Sequence, residues 1–78
     1  MSSIEQKILS YILVETNFSG LDFYPCGIDD IQKNIDADEM SIISAINKLF
    51  ENEVLEFRGI GNSMVQLTIK GKLLALKL

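Results

Sequence analysis

A chain of 78 residues has room for one domain, residues 1–78, and a core this small is expected to be marginal on its own. With 47% hydrophobic residues, it carries more apolar side chain than so small a core absorbs, which points to self-association. The absence of histidine excludes a structural zinc site, the longest apolar runs fall far short of the roughly 20 residues of a membrane span, and the net charge of −4 argues by itself against a nucleic-acid partner.

Ser3 to Gln6 reads as a capping box, and Ile4, Ile8, Tyr11, Ile12 and Glu15 recur at helical spacing, predicting a first helix of about three to four turns. Leu9, Leu13 and Val14 widen its apolar face enough that burial on two sides is expected. Asn17 to Gly20 ends this helix, and Leu21 to Cys26 follows as a short extended connection with Phe23, Tyr24 and Pro25. The single cysteine, Cys26, has no partner for an intramolecular disulfide and no secretory signal before it. A reducing, cytoplasmic setting is therefore expected, with the thiol acting as a small buried hydrophobe.

From Ile28 the spacing is helical again. Ile28, Ile31 and Ile35 share one side, and Asp29 and Asp30 suit the positive end of a helix of about two turns. After a tight turn at Ile35 to Asp38, either Asp36 or Asp38 caps a third helix running to about Asn52. Its inner stripe is Ile42, Ile46 and Leu49, leaving Ser41, Ser44, Asn47, Lys48 and Glu51 outside. Val54 to Arg58 and Met64 to Leu67 have β character on either side of Gly59 to Ser63, predicting a hairpin with a loop of about five residues. Leu55 and Phe57 then face one way, Glu56 and Arg58 the other. Thr68 caps a last helical segment with Ile69, Leu73 and Leu76 on one face.

Charge is divided unevenly along this order. All eleven acids lie in residues 1–56, against Lys7, Lys33 and Lys48, whereas residues 57–78 hold Arg58, Lys70, Lys72 and Lys77 and no acid. Such asymmetry points to an oriented electrostatic contact.

The order helix, extended piece, helix, tight turn, helix, hairpin, terminal helix resembles a winged helix-turn-helix domain: mainly α, with a three-helix core, a small β-hairpin wing and a short C-terminal helix. Ile42, Ile46 and Leu49 leading to Val54-Leu55 resemble a recognition helix running into the first wing strand. The Leu67-Thr68-Ile69-Lys70-Gly71 segment is similar to the one that closes the wing in MarR-like and PadR-like small transcriptional regulators. The position before Val54, often glycine in that family, is Glu53, and the third helix carries Asp38, Glu39 and Glu51 against Lys48.

The resemblance implies a homodimeric regulator of transcription that binds double-stranded DNA. Ser41, Ser44, Asn47 and Lys48 of the third helix would enter the major groove, with Arg58, Asn62, Lys70 and Lys72 on phosphates. The dimer is expected to form mainly through the first helix and residues 72–78. The alternative is a winged-helix protein–protein interaction module that does not bind DNA and docks an acidic face on a basic partner. No enzyme activity, cofactor, metal or membrane partner is expected: Asp29, Asp30, Asp36, Asp38 and Glu39 read as helix N-terminal charges and caps, and no nucleophile has a plausible base.

Overall fold

In the computed structural model, which describes residues 1–78, the elements run α1 (Ser3–Ser19), β1 (Cys26–Gly27), α2 (Ile28–Asn34), α3 (Glu39–Glu51), β2 (Leu55–Arg58), β3 (Met64–Leu67) and α4 (Ile69–Ala75). The chain is mainly helical with a small antiparallel sheet of order β1-β3-β2.

The capping box of α1 lies one residue earlier than the sequence suggests. The Ser2 hydroxyl accepts from the Glu5 amide at 3.2 Å, and the Glu5 carboxylate accepts from the Ser2 amide at 3.1 Å. This pairing satisfies two otherwise orphaned donors. The helix then runs 17 residues, longer than expected, to Gly20, whose φ of 77° closes it in the left-handed region. Its inward face is Ile8, Leu9, Ile12 and Thr16, and the buried Thr16 hydroxyl donates to the Ile12 carbonyl at 2.7 Å. Burial is thus confined to one broad face: Val14 and Phe18 point to solvent.

Asp38, not Asp36, caps α3, its carboxylate accepting from the Ser41 amide at 2.8 Å. Ile42, Ala45, Ile46 and Leu49 bury the inner face of α3 against Ile8, Leu9 and Ile12 of α1, Ile31 of α2 and Leu55, Val65 and Leu67 of the sheet. The hairpin forms in the expected register, Glu56 opposite Gln66, around a turn at Gly59–Ser63. Gly59 (φ 81°) and Gly61 (φ 66°) take the backbone through conformations that a side chain would strain.

One connection departs from the sequence reading. The Leu21–Cys26 connection is extended only at its end, where Cys26 and Gly27 pair with Val65 and Met64 as a third strand. Ile69, Leu73 and Leu76 share one face of α4 as expected, and that face is the outward one; Gly71 and Ala75 are buried, and half-buried Leu74 packs against the core.

That contact explains the Leu67–Gly71 segment physically. Thr68 donates its amide to the Val54 carbonyl (3.1 Å) and its hydroxyl to the Glu53 carbonyl (2.6 Å), while the same hydroxyl accepts from the Gly71 amide (2.9 Å). One side chain therefore caps α4 and ties it to the junction of α3 and β2. A methyl group at Gly71 would overlap the Val54 carbonyl.

Candidate interaction face

On α3, the residues opposite the buried stripe are Met40, Ser44, Asn47 and Glu51, all exposed. Ser41 is half-buried, and Lys48 lies on the flank that turns toward the start of α1. There Ser41, Ser44 and Lys48 border a shallow hollow of about 500 Å³ with Ile4, Glu5 and Met40. Burial pushes the Glu5 carboxyl up. The hydrogen bonds from Ser2 outweigh it, and with Lys48 and the chain's amino group they hold Glu5 below the usual carboxylate range. Hydrogen bonding from Ser41 likewise holds Asp38 below its ordinary value.

The cations expected on phosphates are dispersed. Arg58 donates to the Glu56 carboxylate at 3.1 Å, the one salt bridge in the molecule, and Gln66 donates to the same oxygen at 2.7 Å. Phe57, the neighbour of Arg58 in β2, points to α3 and packs on Phe50 with ring centroids 4.9 Å apart. Strand alternation therefore places the Arg58 guanidinium on the opposite face of the hairpin, away from α3. It shares an open hollow of about 560 Å³ with Phe23, Glu53, Glu56, Ile69 and Lys70.

Lys70 donates to the Asn52 carbonyl at 3.0 Å, a favourable position for a cation at the negative end of α3. Lys72 donates to the Asp22 carbonyl at 2.7 Å, with its ammonium 5.2 Å from the centre of the Phe23 ring. Asn62 stands exposed at the hairpin tip with a φ of 54°. Of the eight candidate residues, Ser41, Ser44, Asn47 and Lys48 share α3 and Lys70 and Lys72 share α4, while Arg58 and Asn62 belong to the hairpin. Lys70 and Lys72 each donate to a backbone carbonyl of the chain itself.

Two exposed apolar side chains of this face went unremarked in the sequence reading: Met40 (77% exposed) and Ile60 (98%). Met40 was legible, being four residues before Ser44 on the outer face of α3. Ile60 was hidden by the glycines around it, which mark a turn but give no sign of what its one large side chain does.

No protein-family model, curated protein or solved structure matches the chain.

Proposed function

We propose that the chain is a winged-helix-type interaction module that contacts protein through the outer face of α3 and the hairpin tip and does not bind DNA. The winged-helix reading is supported by the order of elements and by the Thr68–Gly71 closure at the end of the hairpin. The preference for protein is supported by one observation: the positive charge of residues 57–78 does not converge on the outer face of α3. Arg58 is paired on the far face of the hairpin, Lys72 engages the Asp22 carbonyl, and Lys70 sits at the C-terminal end of α3 on the Asn52 carbonyl, off its outer face. The charged and large apolar side chains left exposed on α3 are Glu39, Met40, Glu51 and Phe50, the last packed on Phe57, against Lys48 alone. Phosphate binding requires cations that displace the counterions of the duplex. An acidic surface carrying apolar anchors suits a basic protein surface instead.

Anisotropy of a random-sequence duplex, titrated with protein at low ionic strength, is the direct test, because electrostatic attraction is then strongest. No binding is expected. Binding whose affinity falls with salt at a slope of about 0.9 per phosphate contact, and whose slope flattens in Arg58→Ala with Lys72→Ala, would overturn the proposal and return Ser44 and Asn47 to a groove-reading role.

A further inference from the structure

Two hollows adjoin along α1 and share Tyr11 and Glu15. The larger, about 500 Å³, lies toward α2 and includes Val14, Ile35 and Asp36. The smaller, about 220 Å³, lies toward β1 and includes Tyr24, Pro25 and Asp30. Because they share two residues, they form one groove with apolar walls and three carboxylates, Glu15, Asp30 and Asp36. Lys7, at one end, is the only cation along it. None of the three carboxylates is in a salt bridge. Val14, 64% exposed, has no core function that would explain an apolar residue there.

The negative field is felt by the groups between the carboxylates. Tyr11 is pushed up to about 12, by burial first and then by Glu15, Cys26 and Asp30. Cys26 is pushed up to about 11 by burial, Glu15 and Asp30. An uncompensated field of this kind is relieved by a cation entering the groove.

We propose that this groove docks a segment of a partner protein in which lysine or arginine alternates with apolar residues. The ammonium or guanidinium would lie at Glu15 and Asp30, and its apolar neighbours on Tyr11, Val14 and Ile35. Charge complementarity selects the cation, and the apolar walls select a peptide over a small polyamine, which would leave them bare. Phosphate is repelled by the same carboxylates. The site shares with the proposed function the view of an acidic, protein-facing module, but it lies on different elements from the outer face of α3.

The test is an NMR titration of the isotopically labelled chain with four probes: an acetylated hexapeptide of alternating lysine and leucine, the same peptide with glutamate for lysine, the same with serine for leucine, and spermidine. Saturable amide shifts centred on Tyr11, Glu15 and Asp30 are expected for the lysine–leucine peptide, weaker ones for the serine variant and spermidine, and none for the glutamate peptide. Glu15→Gln with Asp30→Asn should weaken that binding about fivefold or more, given up to about 1 kcal/mol for each exposed charge pair. Glu39→Lys with Glu51→Lys should leave it unchanged, so failure at α3 and failure here are distinguishable.

Equal binding of spermidine, binding of the glutamate peptide, or indifference to the Glu15 and Asp30 substitutions would each overturn the proposal. An independent reading comes from spectrophotometric titration of Tyr11 in a Tyr24→Phe background. Because a lysine ammonium loses its charge below the pH at which Tyr11 titrates, this reading uses the corresponding arginine–leucine peptide, whose guanidinium stays charged. At saturation it should bring the Tyr11 pKa down, since a neighbouring cation favours the phenolate, and an unmoved pKa counts against the site.

Discussion

Glu53 occupies a position that glycine fills without cost. Its φ of 62° turns the chain from the end of α3 into β2 and places the Glu53 and Val54 carbonyls where Thr68 reaches them. For an L-residue the left-handed region costs about 1–2 kcal/mol, part of which glycine returns as unfolded-state entropy. Glu53→Gly should therefore stabilise the chain by about 0.5–1 kcal/mol in urea unfolding. No change, or a loss, would show that the Glu53 side chain contributes something its exposed position does not explain. Cys26 makes a pH-dependent contribution of the opposite kind. Burial, Glu15 and Asp30 raise its thiol from 9.0 to about 11, so the folded state holds that proton more tightly than the unfolded state. Stability linked to Cys26 is complete below about pH 9 and is lost as pH rises toward 11. Unfolding measured between pH 8 and 11 should show this decline, and Cys26→Ala should flatten it, leaving the later fall expected from Tyr11 as pH passes from 10 toward 12. The same burial makes Cys26 slow to alkylate at neutral pH.

At the scale of elements, the joint that organises the molecule is where α4 crosses the α3–β2 corner. Thr68 makes most of its hydrogen bonds, Lys70 adds one to the Asn52 carbonyl, and its close approach depends on the missing side chain of Gly71. Gly71→Ala would improve helix propensity in α4, yet the added methyl must displace the Val54 backbone. Overpacking against backbone costs about 1–3 kcal/mol and exceeds the propensity gain of up to about 1 kcal/mol. Thermal unfolding of Gly71→Ala should fall by roughly 4–8 °C per kcal/mol lost, a large fraction of the stability of so small a domain. A variant as stable as the parent would mean that α4 shifts outward without cost. The caps and hairpin were readable because each is a local matter: a serine or aspartate before a helix, or glycines between two alternating runs. β1 was not, since two residues make no period and their pairing with Val65 and Met64 bridges distant parts of the chain.

At the scale of the whole molecule, the surplus of apolar side chain has a location. Ile69, Leu73 and Leu76 form a stripe at i, i+4, i+7 along the outer face of α4, and Leu78 is also exposed. The Lys72 bond to the Asp22 carbonyl holds the loop after α1 alongside, where Leu21 is exposed as well. Pairing of this stripe with that of a second copy is the expected mode of self-association, with a two-fold axis making the patch its own partner. Sedimentation should give a dimer at micromolar concentration, and Leu73→Glu with Leu76→Lys a folded monomer; a monomeric parent would refute it. The sequence alone determined the four helices, the hairpin, the order of these elements and the unequal sharing of charge, because periodicity and capping act over a few residues. Only the tertiary structure decided where the charges and the apolar surplus lie. Strand alternation around Phe57 turned Arg58 away from α3, and the lysines of α4 found carbonyls at Asn52 and Asp22 that lie close only once the chain is packed. The same packing turned the narrow Gly71–Ala75 side of α4 inward, since the corner at Val54 admits no larger residue. Ile69, Leu73 and Leu76 were left facing out.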